Sequence, residues 1–279
     1  MTAVSIITVN YNSSESCQSL AASMFEIEDL LPCEWIVVNN SPSDDLSFLS
    51  ETVNNRVSLQ VIESESNIGF GAGCNRGAAV SNGEVLLFIN PDCEFTAGSP
   101  AKIIDRITNH QGVGIVGPRI VDGDGKPEFS WGEFPGILAE YRMTSMKQNV
   151  ASGRLNEDFI NNRHNQPKEV DWVTGGCFFI KRSLFQKMGG FDEEFFLYYE
   201  DIDLCKRVSN AGYSVLFDPS FGIMHLRGLS GRGLSKEIGS YYRQSQRLYY
   251  KKHKGIFCNL LLKLYLMLHT DKPSRNNSL

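Results

Sequence analysis

The 279-residue sequence contains no run of about 18 apolar residues, the length that a membrane-spanning helix requires. Its N-terminus has neither a basic segment nor a long apolar stretch, so no secretory signal peptide is predicted. The formal net charge is −5, whereas proteins that bind nucleic acid usually carry a basic surface. The sequence therefore predicts a cytoplasmic protein that does not bind nucleic acid.

The cysteines are too scattered for a disulfide framework or a zinc site. Their number is odd, and no two of them form a CxxC pair, the close spacing that zinc sites favour. Free thiols, buried in the core of a protein from a reducing compartment, are therefore expected. The seven cysteines are Cys17, Cys33, Cys74, Cys93, Cys177, Cys205 and Cys258.

Two common nucleotide-binding motifs do not fit the glycine-rich segment 67–77. Neither Gly69 nor Gly71 starts a G-x-G-x-x-G pattern, because the last position holds Cys74 in one case and Arg76 in the other. A phosphate loop ending in Gly-Lys-Ser or Gly-Lys-Thr is also missing from the sequence. These glycines are instead expected to let the backbone approach a nucleotide closely, or to allow a tight contact between a helix and a strand.

What the sequence does contain is an alternation of short apolar runs with helical segments. The apolar runs are rich in Val, Ile and Leu and show little polar alternation, which is typical of strands buried on both faces. This alternation predicts an α/β fold, with a mostly parallel sheet between two layers of helices. The predicted strands are 4–9, 34–38, 57–62, 84–89 and 113–118, and the predicted helices are 13–24, 71–81 and 100–110.

Polar clusters follow three of these strands, at residues 10–12, 39–45 and 90–92. Ligands of open α/β sheets bind outside the carboxyl ends of the strands. A nucleotide site is therefore predicted where these three clusters meet.

Residues 122–169 are rich in Gly, Pro and Asn and have weak periodicity. A long segment of this kind predicts an irregular insert that is either a functional lid or a disordered loop. The predicted organisation is one domain over residues 1–235 that contains the insert, followed by a helical tail over residues 236–279.

Asp92 ends the last of the three polar clusters and has two interpretations. Its carboxylate can bind a divalent cation such as Mg²⁺ or Mn²⁺, or it can belong to an ordinary Asn-Pro-Asp turn. His225 ends a later apolar run and is expected to complete a metal site with Asp92. Arg227 and Arg232 lie in the Gly-rich loop that follows, where they are expected to neutralise a diphosphate.

A second chemical cluster places four aromatic residues directly before three carboxylates, within residues 195–203. A helix that begins near Glu200 has Asp201 in its first turn and Asp203 on another face. Aromatic neighbours desolvate a carboxylate and raise its pKa, which suits Asp201 to the role of general base. The alternative is that Glu200 or Asp201 only caps the helix.

Six segments, taken in this order, resemble the inverting glycosyltransferase family 2, in its bacterial rhamnosyltransferase-like branch. The resemblance covers about residues 3–255 and is poor over the insert. The segments are 4–12, 67–77, 90–92, 175–180, 190–203 and His225.

This resemblance implies a GT-A fold, in which a Rossmann-like sheet binds the nucleotide, and it assigns roles to individual residues. Asp92 corresponds to the aspartate that holds a divalent metal on the donor diphosphate, His225 to a further metal ligand, and Asp201 to the catalytic base. The residues implied to surround the nucleotide are Asn10, Asn12, Asn39, Asn67 and Asn75, and those implied to contact the sugar or the acceptor are Trp172, Gly175, Gly176 and Glu200.

The chain departs from the family pattern at two places. The family usually has Asp-Asn after the second strand, and its Asp accepts a hydrogen bond from the pyrimidine imide; this chain has Asn39-Asn40. An amide oxygen can accept that bond, but more weakly than a carboxylate. The family's DxD motif is reduced to Asn90-x-Asp92, so that one carboxylate is missing and His225 is expected to compensate.

The function implied by the resemblance is inverting transfer of a sugar to a saccharide or polyprenyl-linked acceptor in cell-surface polysaccharide synthesis. Rhamnose from dTDP-rhamnose is the first expectation, and UDP-hexoses stay open. The alternative function is a non-catalytic protein that binds sugar nucleotides or glycans on the same fold.

The C-terminal tail combines a basic stretch with an apolar one. Residues 243–254 contain five Lys or Arg residues and no acid, and residues 256–268 are mostly apolar. The apolar stretch is too short to span a bilayer. It is expected either to lie in the membrane interface, which places the protein at the inner face of the cell membrane, or to pack on the domain or at a dimer seam.

Overall fold

A computed structural model describes residues 4–30, 32–152, 154, 163–226 and 235–269 of the chain. The strands are β1 (Val4–Asn10), β2 (Cys33–Asn39), β3 (Val57–Glu63), β4 (Val85–Ile89), β5 (Cys93–Gly98), β6 (Val113–Asp122), β7 (Trp131–Gly132), β8 (Lys168–Val170), β9 (Trp172–Val173), β10 (Cys177–Lys181) and β11 (Ser214–His225). The helices are α1 (Ser14–Met24), α2 (Leu49–Thr52), α3 (Phe70–Val80), α4 (Pro100–Asn109), α5 (Ile137–Ala151), α6 (Arg182–Lys187), α7 (Glu200–Asn210), α8 (Ser235–His253) and α9 (Gly255–His269).

Nine strands form one mixed sheet in the order β3-β2-β1-β4-β10-β6-β11-β5, with β8 on β11. Strands β3, β2, β1 and β4 run parallel to one another, and β11 runs parallel to β6. Strand β10 is antiparallel to both of its neighbours, and β5 and β8 are antiparallel to β11. The prediction of a mostly parallel sheet flanked by helices is confirmed.

Both faces of the sheet are buried, which explains the nearly continuous apolar runs. Along β4, Val85, Leu87 and Ile89 face one hydrophobic cluster, whereas Leu86 and Phe88 face another. Helices α1 and α4 cover the first face and helices α3 and α7 cover the second. Successive side chains of a strand point to opposite faces, so a strand covered on both sides has no polar positions to alternate.

The prediction of an irregular insert at residues 122–169 is wrong for much of its length. Strand β6 extends to Asp122, and the 15-residue helix α5 begins at Ile137. The apolar residues of α5 are distributed around the helix, for example Leu138, Tyr141 and Met143, so no stripe of helical period marks it in the sequence. Part of the insert, residues 153 and 155–162, lies outside the described residues.

The tail is helical, as predicted, and its two helices pack on the segment that precedes α7. Leu262 and Leu266 of α9 are buried in a cluster with Phe195, Tyr199 and two tyrosines of α8. His253 at the end of α8 contacts the buried carboxylate of Asp203, with 2.7 Å between Nε2 and Oδ1. One face of the tail is therefore fixed to the domain.

Among the described residues, no helix combines the length and the apolar character needed to cross a bilayer. All seven cysteines are free, and all except the half-buried Cys258 are buried, as predicted from their spacing.

Candidate active site

The loops after β1 and β2 are joined by a network of side-chain amides. Buried Asn10 donates through Nδ2 to Oδ1 of Asn39 and to the carboxylate of Asp44, both at 2.9 Å. Asn39 in turn donates to the backbone carbonyl of Asp44 at 2.9 Å and to the carboxylate of Glu63 at 2.8 Å. Because Oδ1 of Asn39 also accepts from the backbone N–H of Ser41, four partners fix the orientation of this amide.

This network accounts for the asparagine at position 39. An ionised aspartate has no donor, so it could not bind the Asp44 carbonyl, and it would stand next to the Glu63 carboxylate. The departure from the Asp-Asn pattern is therefore part of the packing of this loop.

The other predicted nucleotide residues lie around the same edge of the sheet but have different surroundings. Asn12 is exposed, has a left-handed backbone (φ 51°) and accepts a hydrogen bond from the Ser41 hydroxyl. Asn67 accepts from the backbone N–H of Gly69 at 2.9 Å. Asn75 instead makes two hydrogen bonds to the backbone of Phe191, so its amide ties α3 to the segment before α7.

The structure brings Asp92 and His225 together, as predicted from their strand ends. Nε2 of His225 lies 3.3 Å from Oδ1 of the buried Asp92, and Nδ1 lies 3.2 Å from the carboxylate of Glu128. The pairing of His225 with Cys93 between β11 and β5, continued by a hydrogen bond from Leu226 N–H to the Asp92 carbonyl, holds the two side chains in register.

The carboxylates control the charge of this histidine. Burial by itself lowers the pKa of His225, but hydrogen bonds to Asp92 and Glu128 outweigh it and raise the pKa to about 9. Glu128 was missed in the sequence, because it lies 97 residues before His225 in a segment without a motif. A carboxylate on the second ring nitrogen is the usual support of a metal-binding histidine.

The donor atoms here fit a hard divalent cation. One carboxylate oxygen of Asp92, one nitrogen of His225 and the thiol of Cys93 lie within 4.8 Å of one another. Burial raises the pKa of the Cys93 thiol well above its ordinary value. The oxygen of Asp92 and the nitrogen of His225 are the kinds of donor that Mg²⁺ or Mn²⁺ accepts. Arg227 and Arg232, predicted to cover a diphosphate, lie outside the described residues.

A two-glycine turn connects this site to Asp201. The backbone N–H of Asn90 donates to the Gly176 carbonyl at 2.9 Å, and the backbone N–H of Gly175 donates to Oδ2 of Asp201 at 2.6 Å. A Cβ on Gly175 would lie 3.3 Å from the Cβ of Asp201 and 3.3 Å from the Phe70 ring. Any larger residue would push Asp201 or Phe70 away by a few tenths of an ångström, so glycine suits this close approach of the carboxylate to the backbone.

Helix α7 begins at Glu200, as predicted, and its first two residues are both acids with disturbed titration. Burial raises the pKa of half-buried Asp201 above its ordinary value, although the N–H groups of Gly175 and Ile202 stabilise its charged form. Burial and then the Asp201 charge raise the pKa of Glu200 well above its ordinary value. Oε2 of Glu200 is buried without a hydrogen-bond partner. Of the two acids Asp201 is therefore the one that ionises first, and Glu200 keeps its proton to a higher pH.

Asp203 has a different function from Asp201, as their spacing on the helix predicts. Its carboxylate is buried and binds Arg207 at 2.7 Å and His253 at 2.7 Å. Arg207 also donates to the carbonyls of Met188 and Gly190. Asp203 thus joins α7 to the tail directly and, through Arg207, to the loop at residues 188–190.

The backbone that leads into α7 is strained. Tyr198 and Tyr199 both have left-handed backbones, with φ of 69° and 70°. Side chains other than glycine and asparagine rarely adopt this region, and two such tyrosines in succession cost free energy. The Phe191 ring, packed 5.2 Å from the ring of Phe88, anchors this segment to the sheet.

A cavity of about 540 Å³ opens beside Asp201. Its walls come from the insert, from β9, from the strained segment and from α8, so most of them were not predicted from sequence. Trp172, a predicted substrate residue, lies in this wall and donates from Nε1 to the Glu133 carbonyl at 2.8 Å. The aromatic and acidic side chains of the lining include Trp131, Glu133, Glu140, Asp171, Trp172, Tyr198 and Tyr242. Aromatic faces with nearby carboxylates form a surface suited to the apolar faces and hydroxyls of sugars.

The tail contributes directly to this cavity. Glu140 of α5 accepts hydrogen bonds from Gln246 and Tyr250 of α8, both at 2.9 Å. The hydroxyl of Tyr242 on α8 lies 3.3 Å from that of Tyr199. Removing the tail would therefore remove one wall of the cavity.

Comparison with known proteins finds two family models along this chain. The model of glycosyl transferase family 2 matches residues 5–189, about two thirds of the chain, and the model described as the N-terminal domain of galactosyltransferase matches residues 160–229.

Individual relatives extend this result. N-acetylglucosaminyl-diphospho-decaprenol L-rhamnosyltransferase of Mycobacterium tuberculosis is 24% identical over 265 residues, which are 90% of this chain and 85% of the relative. Rhamnosyltransferase WbbL of Escherichia coli is 43% identical over 56 residues, 20% of this chain and 21% of the relative.

A solved structure shares the fold. A crystal structure of GalNAc-T7 with UDP, GalNAc and Mn²⁺ superposes with a TM-score of 0.63 at 17% identity, over 96% of this chain. This chain matches 55% of the GalNAc-T7 chain. The sheet, the site at its edge and the matching family model lead to one conclusion: the chain is a glycosyltransferase with the GT-A fold and belongs to glycosyl transferase family 2.

Proposed function

We propose that this enzyme transfers rhamnose from dTDP-rhamnose, with inversion, to a saccharide carried on a polyprenyl diphosphate, in the synthesis of a cell-surface polysaccharide. Support for the sugar and the acceptor comes from the names of two relatives, a decaprenyl-linked rhamnosyltransferase and a second rhamnosyltransferase. An acceptor of this kind is held at a membrane, so the enzyme works at the inner face of the cell membrane.

The observation that carries the proposal is the setting of Asp201. Asp201 lies in the wall of the cavity, and its carboxylate accepts a hydrogen bond from the Gly175 N–H at 2.6 Å. The Gly175–Gly176 turn links it to the loop of Asp92. One short turn thus separates a base that faces the cavity from the residues that hold the donor.

In the proposed mechanism Asp201 removes the proton from the acceptor hydroxyl as its oxygen attacks the anomeric carbon. Glu200 keeps its proton to a higher pH than Asp201 does, so Asp201 is the member of the pair that serves as the base. Trp172, Gly175 and Gly176 shape the place where the donor sugar meets the acceptor. Attack from the face opposite the leaving group inverts the anomeric configuration in one displacement.

The donor half of the site uses the loops after β1, β2 and β4. Asn10 and Asn39 hold the two loops together, and Asn12 and Asn67 border the nucleotide. Asp92 and His225 would hold Mg²⁺ or Mn²⁺, with Glu128 orienting the histidine. The bound cation supplies positive charge for the leaving nucleoside diphosphate. Arg227 and Arg232 are proposed to add to that charge.

The experiment measures release of nucleoside diphosphate from a panel of dTDP- and UDP-sugars, with Mg²⁺, Mn²⁺ or EDTA, in the presence of a membrane extract that supplies the acceptor. Release from dTDP-rhamnose alone, dependent on the cation and lost in Asp201→Asn, is the expected result. Asp105→Asn, which changes an exposed acid on α4, serves as the control and should keep full activity.

Two other outcomes have definite meanings. Release from a UDP-hexose alone would replace the proposed donor and leave the mechanism in place. Binding of a nucleotide-sugar without turnover of any donor would favour the alternative function, a non-catalytic sugar-nucleotide or glycan-binding protein.

A further inference from the structure

The exposed apolar side chains of this protein are concentrated on one region. Nine large apolar or aromatic residues are exposed among the described ones, and eight of them lie on α5, on the segment before α7, on α8 or on α9. The exception is Val80 on α3. A distribution this uneven is not expected of a surface that only faces water, because single exposed apolar residues are normally scattered.

Helix α9 has four of these residues, including the two most exposed, and the four share one side. Ile256, Phe257, Leu260 and Leu264 are 82%, 73%, 57% and 54% exposed. At roughly 100° per residue they lie within about 100° of one another around the helix axis. The buried residues Leu262 and Leu266 lie on the opposite side.

Basic side chains accompany this apolar face. Arg243, Arg247 and Lys251 are exposed and spaced four residues apart along α8, and Lys254 follows at the junction with α9. Residues 238–269 contain six Lys or Arg residues and no Asp or Glu, in a chain whose net charge is −5. Lys252 is bound to the domain through Asp192 and Glu194.

The same region borders the cavity. Lys254 Nζ lies 3.8 Å from the position that a Cβ on Gly136 would occupy, directly before α5. Two exposed residues of the first turns of α5, Leu138 and Tyr141, therefore stand near the junction of α8 and α9. Helices α5 and α8 also form walls of the cavity that contains Asp201.

We propose that the outer face of α9, with the basic stripe of α8, is the surface by which this enzyme binds an anionic lipid bilayer. The apolar side chains enter the boundary between headgroups and acyl chains, and the basic side chains contact anionic headgroups. A second copy of the chain fits less well, because a symmetric contact would bring the two basic stripes close together. The binding surface stands on the observations above; only its purpose, to bring the cavity close to the membrane, rests on the proposed lipid-linked acceptor.

The test uses the full-length protein and sedimentation with vesicles, without donor or acceptor. Vesicles of phosphatidylcholine with phosphatidylglycerol are expected to bind the protein, and vesicles of phosphatidylcholine alone to bind it far less. The double variant Phe257→Ser/Leu260→Ser should weaken binding by at least about tenfold, because two large apolar side chains no longer enter the interface. Val80→Ser, which changes the exposed apolar residue on α3, is the matched control and should bind as the wild type does.

A charge variant tests the second half of the proposal. Lys251→Glu should weaken binding to the anionic vesicles by at least about fivefold, and added salt should reduce the difference from wild type. Lys102→Glu, an exposed lysine on α4, is the control for net charge and should have little effect.

Three results would overturn the proposal: no binding to anionic vesicles, equal binding to both kinds of vesicle, or a dimer in sedimentation velocity that Phe257→Ser/Leu260→Ser dissociates. Because the substituted side chains lie outside the cavity, nucleoside diphosphate release with a water-soluble acceptor should stay at the wild-type rate in the double variant. Vesicle binding without any transferase activity would keep this inference and refute the proposed function, whereas activity without vesicle binding would do the reverse.

Discussion

The two sides of the candidate site are built in opposite ways. On the nucleotide side, the loops after β1 and β2 are held by amides such as Asn10 and Asn39, each of which has partners for both its oxygen and its nitrogen. On the cavity side, Glu200 is buried with an oxygen that has no partner, and two tyrosines precede it with left-handed backbones. Asn12 on the nucleotide side also has positive φ, but asparagine adopts that region at little cost.

This difference suggests how the molecule divides stability and reactivity. Fully paired buried polar groups give a loop one rigid arrangement, which suits the binding of a donor that must be held still. Desolvated acids and strained backbone raise the free energy of the folded state, and they persist where they serve chemistry. We therefore expect substitutions on the nucleotide side to act mainly on stability, and those on the cavity side mainly on activity.

The largest expected effect is the loss of activity in Asp201→Asn. Removal of a general base usually lowers the rate by about 10²- to 10⁴-fold. The melting temperature should not fall, because the amide oxygen can still accept the Gly175 N–H and a buried charge is lost. Turnover with the cognate donor and thermal unfolding are measured on the same preparation.

Asp203→Asn is the matched control for this prediction, two residues further along α7. It weakens the contacts to Arg207 and His253, so the melting temperature should fall while the rate per folded molecule stays close to that of wild type. If Asp201→Asn lowers the melting temperature as much as Asp203→Asn does, Asp201 has a structural role and the division proposed above fails.

On the nucleotide side, Asn39→Ala should reduce the free energy of unfolding by about 2–4 kcal/mol, because several polar groups of the two loops lose their partner. Urea unfolding measures the change. Asn109→Ala, at the exposed end of α4, removes an amide with one side-chain hydrogen bond and should change stability by less than about 0.5 kcal/mol. A loss below about 1 kcal/mol for Asn39→Ala would mean that water replaces the network at little cost.

Much of this architecture can be read from the sequence, for reasons visible in particular residues. The runs that became β1, β2, β4 and β6 are apolar because both faces of the sheet are covered there. The positions of Asp92, His225 and Asp201 follow from where a strand ends or a helix begins. Other elements, such as β5 and α5, have no regular pattern of apolar residues from which they could be predicted. Strand β5 begins directly after Asp92, so the Asn-Pro-Asp turn before it gave no sign that a strand follows. Helix α5 has no apolar stripe.

The walls of the cavity could not be predicted because they depend on contacts between distant segments. Glu140 on α5 meets Gln246 and Tyr250 on α8, more than 100 residues later, and Glu128 meets His225 across 97 residues. Residue type alone does not identify such partners. The sequence therefore offers candidate residues for the donor side, whereas most of the cavity lining emerges only from the fold.

The buried acids of the cavity side should make the stability of the protein depend on pH. The pKa of Glu200 is raised in the folded protein, so above the ordinary glutamate pKa of about 4.3 the unfolded chain releases a proton that the folded protein keeps. Stability then falls as the pH rises from that value until the folded pKa is passed. Asp201, whose pKa is also raised, adds to the same slope.

Glu200→Gln removes the larger part of this slope, so the variant should be more stable than wild type at neutral pH and similar to it in acid. Urea unfolding from about pH 4 to 8 checks both expectations. Parallel pH profiles for the two proteins would show that Glu200 is ionised in the folded state, against the assignment of the shared proton. Glu193→Gln, an exposed acid in the same segment, is a suitable control.

The smallest expected effect concerns the strained backbone at Tyr198, and it is isolated by comparing two substitutions at one position. Tyr198→Ala and Tyr198→Gly both remove the ring, which packs edge-on against Tyr242 with centroids 5.8 Å apart. Only glycine also removes the cost of the left-handed backbone, so Tyr198→Gly should be more stable than Tyr198→Ala by about 1 kcal/mol. The same pair at Tyr242, in the right-handed helix α8, should differ by about the same amount with the opposite sign, because glycine is a poorer helix former than alanine. Equal signs at the two positions would show that the segment before α7 is not strained, and the raised free energy of the cavity side would then rest on its buried acids alone.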